Sequence, residues 1–186
     1  MPACAGMDGT RRCCVPQRRG LQVLSRLGAA RRRLMVRVQI APFDVNAEIE
    51  RLRAADPRVG AVACFIGVVR DLNDGAAVAS MTLEHYPGMT EKALEAIVEQ
   101  ARGRWDVYDV LVIHRVGELH PTDPIVLVIV TSAHRGDAFA ACEFVMDYLK
   151  TEAPFWKKEA TPEGARWVDA RASDEAARKR WGGKER

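Results

Sequence analysis

Beyond its first 34 residues, the chain alternates between segments of strand period and segments of helix period. Residues 36–40 alternate apolar and polar positions, which predicts a strand, and the almost entirely apolar run at 60–69 predicts a buried strand. The alternating residues 79–86 predict a third strand, and the turn signal at 73–75 predicts that the second and third strands pair as a hairpin. A β-branched run at 125–130 predicts a strand in the centre of a sheet.

Two long helices are predicted among these strands. Residues 90–104 carry apolar side chains at helical spacing, with Thr90 as the expected N-cap, and residues 137–152 show the same spacing. Because a proline disfavours a helical residue before it, Pro154 predicts that the second helix ends near Ala153. Shorter helices are expected before the first long helix and at the C terminus.

The order of these elements predicts an α+β fold in a single domain over residues 35–186. We expect a mainly antiparallel sheet with helices packed on one face. Two further strands, at 155–160 and 165–169, are expected to form a small C-terminal hairpin. The residues between them, Thr161-Pro162-Glu163-Gly164, fit a type I turn.

Residues 1–34 differ from the remainder in composition. They hold eight arginines and one acidic residue, Asp8, which gives a charge of +7; the formal net charge of the whole chain is +3, so the other 152 residues carry −4. An organellar transit peptide, a true translation start at Met35, and a disordered basic tail all fit this segment. We expect a basic, disordered extension that the function does not require.

Composition also excludes several classes of function. The acidic globular part disfavours a general nucleic-acid binder, and no apolar run approaches the roughly 18 residues that indicate a membrane span. The five cysteines form no CxxC pair and no spacing typical of zinc, and we expect Cys64 and Cys142 in the core. The sequence thus predicts a cytoplasmic protein that uses no metal and no cofactor.

Cationic residues at the ends of predicted elements are the first candidates for chemistry. Arg70 closes the buried strand, Arg171 precedes the last helix, and His134 and Arg135 lie between a strand and a helix N-terminus, where backbone N–H groups bind anions. Taken singly, Arg70 also fits a solvated turn residue, and Arg135 also fits an ion pair with Asp137. We expect the strands that lead to Arg70 and His134 to be neighbours, which would make these cations converge.

A second candidate is the corner that follows the second long helix. Lys150, Lys157 and Lys158 surround Pro154 together with two aromatic residues. This arrangement predicts a pocket for an anion with a flat, partly apolar body. The alternative is that the lysine at the helix end offsets the helix dipole and that the aromatic residues belong to the core. The sequence shows neither a Ser-His-Asp set nor a phosphate-binding glycine loop, so an enzyme of this kind would work with Lys, Arg and His.

Four stretches of the chain together resemble the large, catalytic subunit of molybdopterin synthase, the MoaE family: Thr82-Leu83-Glu84-His85-Tyr86-Pro87-Gly88-Met89, Ile113-His114-Arg115-Val116-Gly117-Glu118-Leu119, Thr131-Ser132-Ala133-His134-Arg135, and Met146 to Glu159. The resemblance covers residues 36–181. It implies an α/β hammerhead fold and a homodimer of large subunits. A small, ubiquitin-like subunit would dock at each end to give a heterotetramer.

The resemblance also implies a sulfurtransferase of molybdenum cofactor biosynthesis. Sulfur would pass from the thiocarboxylated C-terminus of the small subunit to cyclic pyranopterin monophosphate, forming the dithiolene of molybdopterin. The matched positions imply catalytic roles for Lys150 and Lys157 and a pterin cavity lined by Phe65 and Met146. The implied substrate-binding residues are Val68, Val69, Arg70, His134, Arg135, Lys150, Lys157, Lys158, Glu159 and Arg171. A non-catalytic scaffold that binds a ubiquitin-like protein is the alternative.

Overall fold

A computed structural model describes residues 35–73, 76–161, 164–168 and 172–183. The predicted extension at 1–34, Arg171 and the middle of the predicted Thr161–Gly164 turn lie outside the described residues. The helices and strands, in chain order, are β1 Val36–Gln39, α1 Val45–Ala55, β2 Ala61–Val68, β3 Leu72–Asn73, β4 Ala76–Ala77, β5 Ser80–His85, α2 Met89–Arg104, β6 Val107–Arg115, β7 Gly117–Leu119, β8 Pro124–Ser132, α3 Arg135–Glu152, β9 Phe155–Thr161, β10 Gly164–Val168 and α4 Ala172–Lys179, followed by a 3-10 turn at Arg180–Gly183.

The first sheet has the strand order β1-β6-β8-β2. β1 runs parallel to β6, and the other two pairs are antiparallel. The β-branched strand β8 lies inside the sheet, as predicted, and β2 forms one edge. The register of this edge pair places Ala61 opposite Ser132 and Val68 opposite Pro124.

Both faces of the first sheet are covered by helices. Val110 and Val128 of β6 and β8 pack in one hydrophobic cluster with α2 and α3, whereas Leu111 and Leu127 pack in a second cluster with Leu52 of α1. The expected antiparallel α+β fold is confirmed, and α1 adds cover on the second face. The cover by α1 is needed because β6 and β8 are apolar at consecutive positions, so both faces of each strand must be buried. No helix in the described part of the chain is long and apolar enough to cross a membrane.

The second sheet has the order β10-β9-β5-β7, and all its pairs are antiparallel. β9 and β10 form the predicted C-terminal hairpin. The predicted hairpin between residues 60–69 and 79–86 is wrong, because β2 pairs with β8 in the first sheet and β5 pairs with β7 and β9 in the second. The chain changes sheet at Val69, whose side chain is buried with Met81 and Leu83 beneath the second sheet.

The start of α2 also differs from the prediction and is tied to the corner that follows α3. The N-cap is Gly88, at φ +80°, and its N–H donates to the Glu91 carboxylate at 2.6 Å. Thr90 lies inside the first turn and is fully buried; its hydroxyl accepts from the Tyr86 N–H and donates to the Pro154 carbonyl, each at 3.2 Å. Thr90 therefore fixes the corner to α2 and does not cap the helix.

Candidate active site

A groove of about 470 Å³ opens between β2 and α3. Lys150 and Met146 lie four residues apart on α3 and are therefore on the same face of the helix. This face lines the groove opposite Phe65 of β2. The predicted pocket residues Phe65 and Met146 are thus brought together with Lys150. Among the residues that the structure describes, the lining is Ala63, Cys64, Phe65, Phe139, Cys142, Glu143, Met146, Asp147 and Lys150.

The described lining combines apolar walls with the ammonium group of Lys150 and with two carboxylates, Glu143 and Asp147, which both pair with Arg180. Phe65 is 40% exposed and Phe139 is 64% exposed, so both rings present apolar surface to a ligand. The Lys150 side chain is 51% exposed, and its Nζ lies 3.6 Å from a carboxylate oxygen of Asp174 in α4. This is a long, solvated ion pair, which leaves the ammonium group accessible. The groove can hold a flat, partly apolar body that carries a negative charge.

Lys157 has a different partner, in the second sheet. Its Nζ lies 2.8 Å from Glu159, whose side chain is fully buried, and the other Glu159 oxygen lies 3.2 Å from the Arg166 guanidinium. One buried carboxylate therefore holds two cations. Arg166 was not among the residues predicted from the sequence, although the hairpin register that pairs Thr161 with Gly164 also pairs Glu159 with Arg166.

Lys158 faces away from Lys157, because successive residues of a strand point to opposite sides of the sheet. Its Nζ lies 5.5 Å from the centre of the Trp167 ring, which is the distance of a cation–π contact. The three lysines of the corner are thus held by three different groups: Asp174, Glu159 and Trp167.

Arg70 lies at the opposite end of β2 from His134. β2 and β8 are neighbours, as predicted, but they run antiparallel, so the residue after β2 and the residues after β8 diverge. The eight residues of β2 span about 24 Å at roughly 3.4 Å per residue. The expected convergence of Arg70 with His134 and Arg135 within one chain is therefore wrong.

The side chains around these cations differ in exposure. Arg70, His134 and Arg135 are exposed, and His134 is the N-cap residue of α3. Val68 is half exposed, whereas Val69 is buried; the Val69 N–H donates to the Asp123 carbonyl at 2.9 Å, and its carbonyl accepts from the Thr122 N–H at 2.8 Å.

Two thiols lie in the groove, and neither is activated. Cys142 is buried, and this burial raises the pKa of its thiol to about 11. Cys64 is exposed, contrary to the expectation that it belongs to the core, and partial burial raises the pKa of its thiol as well. Since the thiolate is the nucleophilic form, both cysteines are poor nucleophiles at neutral pH.

His114 packs against Phe155, the first residue of β9 after the corner. Its ring is buried and stacks on Phe155 with 3.9 Å between ring centres, and Nδ1 donates to the Arg115 carbonyl at 2.8 Å. Burial lowers the pKa of His114 to about 4, so the ring is neutral at physiological pH. Its role is to position the start of β9.

Comparison with known proteins agrees with this architecture. Residues 38–152 match the family model described as MoaE protein. The molybdopterin synthase catalytic subunit of Ralstonia nicotianae is 69% identical over 147 residues, which cover 79% of this chain and 84% of that protein.

Two solved structures are also similar. The molybdopterin biosynthesis MoaE protein from Burkholderia ambifaria MC40-6 is 62% identical, with a TM-score of 0.70 over 80% of this chain and 98% of that one. The molybdopterin synthase from Staphylococcus aureus is 31% identical, with a TM-score of 0.66 over 73% of this chain and 97% of that one. The family match, the sequence identity and the shared fold together show that this chain belongs to the MoaE family.

Proposed function

We propose that the chain is the catalytic subunit of a molybdopterin synthase. It transfers sulfur from the thiocarboxylated C-terminus of a small ubiquitin-like subunit to cyclic pyranopterin monophosphate, and the product carries the dithiolene of molybdopterin. Membership of the MoaE family supports the reaction. The observation that carries the site is the groove between β2 and α3, where Lys150 lies beside Phe65 and Met146.

Apolar and cationic groups of the proposed site have different roles. The Phe65 ring and the Met146 thioether pack against the flat pterin. The Lys150 ammonium binds the thiocarboxylate and stabilises the charge that develops as the acyl–sulfur bond breaks, or it transfers a proton there. Lys157 is the second cation of the proposed site; it is absent from the described groove lining and lies on β9, paired with Glu159. The two groove thiols take no part as nucleophiles, because they remain protonated.

Glu159 contributes through Lys157. Its carboxylate is fully buried and cannot reach a ligand, but it lies 2.8 Å from the Lys157 ammonium. A fixed lysine places its charge in one position and loses less side-chain entropy when the anion arrives. Glu159 is therefore a positioning residue, and Arg166 shares its charge.

The cations at the two ends of β2 belong to one site only if a second copy completes it. β2 is an edge strand, and Phe65, Ile66 and Val68 are exposed on it, which makes it suited to pairing with another strand. In a twofold dimer, antiparallel pairing of β2 with its own copy brings Arg70 of one chain to the His134 end of the other. This arrangement supports the homodimer, which with two small subunits forms a heterotetramer.

Two further parts of the proposal rest on the sequence. We place the protein in the cytoplasm, because its cysteines show no disulfide or metal framework. Residues 1–34 are a basic extension that the reaction does not need, and a chain that starts at Met35 should retain full activity.

Reconstitution tests the proposed function directly. The purified chain is mixed with a thiocarboxylated small subunit and cyclic pyranopterin monophosphate, and the dithiolene product is measured. We expect product only with the thiocarboxylated subunit; the same subunit with an ordinary carboxylate is the control. Tight binding of the small subunit without any product would overturn the enzyme assignment in favour of the scaffold.

A further inference from the structure

The C-terminal segment, residues 172–183, docks along α3 through an aromatic anchor. The Trp181 ring packs edge-on against Trp105 and Phe144, with centres 5.5 and 5.6 Å apart. Its indole N–H donates to the Asp147 carboxylate at 2.7 Å. Because none of these anchor contacts involves Lys150, the segment can stay docked whatever Lys150 binds.

The same segment contacts every charged residue of the groove lining that the structure describes. Arg180 lies 2.9 Å from Glu143 and 2.8 Å from Asp147, and Asp174 lies 3.6 Å from Lys150. The arginine offsets the two acidic residues that would repel an anion. The Asp174 carboxylate pairs with the Lys150 ammonium, the group of the described lining that would attract an anion.

We propose that Asp174 is an internal placeholder for the anionic donor: its carboxylate positions the Lys150 ammonium before the donor binds and gives way when the C-terminal carboxylate or thiocarboxylate of the small subunit arrives. This inference rests on the proposed function. It assigns to the C-terminal segment a part in donor exchange, with Asp174 acting through Lys150 as a positioning residue.

Geometry supports the exchange on both sides. The ion pair is long and the lysine is half exposed, so little free energy is lost when Lys150 changes partner. Asp174 lies in the first turn of α4, where the helix dipole stabilises a carboxylate. The released aspartate therefore keeps a favourable environment while Lys150 contacts the donor.

The test compares Asp174→Asn with two reference variants. Asp174→Glu restores the charge, and Glu152→Gln breaks the 3.2 Å ion pair with Arg178 that joins the same two helices without involving Lys150. Binding of the small subunit with an ordinary Gly-Gly carboxylate is measured by calorimetry, together with kcat and KM for the thiocarboxylated form. Should Asp174→Asn fail to fold, Asp174→Ser replaces it.

We expect Asp174→Asn to bind the small subunit about two- to fivefold more tightly, which is the factor that corresponds to the loss of one solvated ion pair. The KM for the thiocarboxylated subunit should fall by the same factor, and kcat should not rise. Both reference variants should remain at the wild-type value. Unchanged affinity in Asp174→Asn, or an equal gain in Glu152→Gln, would overturn the inference and leave the proposed function intact. A wild-type chain that binds no small subunit would overturn both.

A second readout needs no partner protein. Acetic anhydride should acetylate Lys150 faster in Asp174→Asn than in the wild type, relative to the exposed Lys92 of α2, because the variant amide no longer holds the Lys150 nitrogen in an ion pair and leaves it more accessible to the reagent. Equal relative rates in the two proteins would show that Asp174 does not hold Lys150.

Discussion

Arg70 and His134 follow opposite ends of one antiparallel strand pair, β2 and β8. The length of β2 separates them, so a single chain cannot direct both at one small anion. A twofold axis beside β2 removes this obstacle, because it exchanges the two ends of the strand. In the dimer proposed above, each active site would therefore contain residues of both chains.

Mixed dimers of Arg70→Ala and His134→Ala chains should recover activity that neither variant shows alone. With random pairing, half of the dimers contain one chain of each kind, and each of these has one intact site, so about a quarter of wild-type activity is expected. Differently tagged, co-expressed chains and the dithiolene assay measure it. No recovery in a confirmed mixed dimer would mean that each site is built within one chain.

Lys150→Ala should retain the fold and the affinity for the small subunit within a few-fold, but it should lose roughly 10² to 10³ in kcat, the usual effect of removing one charge-stabilising or proton-transferring group. Lys92→Ala, which removes an exposed lysine from α2, is the matched control and should be fully active. Circular dichroism and the product assay separate folding from turnover. An active Lys150→Ala enzyme would contradict the role given to this lysine.

Glu159→Gln should reduce the free energy of unfolding by about 2 kcal/mol, because two cations would then share an uncharged amide. The expected loss is below that for fully buried pairs, since Lys157 and Arg166 keep some contact with solvent. Glu99→Gln, which breaks an exposed pair with Arg102, should change stability by less than about 1 kcal/mol. Urea unfolding measures the free energy of unfolding of both variants. Equal losses in Glu159→Gln and Glu99→Gln would show that the burial of Glu159 does not strengthen its ion pairs.

His114 should make the protein less stable as the pH falls from 7 to 5. Its pKa is about 4 in the folded chain and 6.5 in the unfolded chain, so over this range only the unfolded state takes up the proton. The loss attributable to His114 is about 2 kcal/mol between pH 7 and pH 5; it grows to about 3 kcal/mol and levels off below pH 4. His114→Phe retains a ring against Phe155 and should lose this part of the pH dependence in urea titrations. An unchanged slope would mean that His114 is protonated in the folded state.

Local pattern was sufficient for those features that depend on neighbouring residues. The β-branched run of β8 predicted an interior strand, Pro154 predicted the end of α3, and the C-terminal hairpin followed from strands on either side of a turn. The hairpin register would also have shown Arg166 opposite Glu159. The cationic candidates followed from their places at the ends of predicted elements. The family resemblance gave the catalytic roles and the remaining positions, Phe65, Val68, Val69, Met146 and Glu159, but not the contacts that surround them.

Strand direction and sheet membership could not be predicted in this way. That β2 and β8 are neighbours was predicted, but nothing near Arg70 shows that they run antiparallel or that β5 belongs to another sheet, because this depends on where Val69 is buried. The contact of Lys150 with Asp174 likewise joins two helices across an intervening hairpin. Such contacts depend on tertiary packing, which the local periodicity of a sequence does not predict.

The position of β2 in the chain has a consequence for its synthesis. The β8 residues that pair with β2 follow 56 to 71 positions later, from Val68 with Pro124 to Ala61 with Ser132. At roughly 5–20 residues per second, a ribosome therefore leaves this apolar strand without its neighbour for several seconds. The nascent chain is an expected client of chaperones that bind extended apolar segments, and slow translation between the two strands should lower its soluble yield.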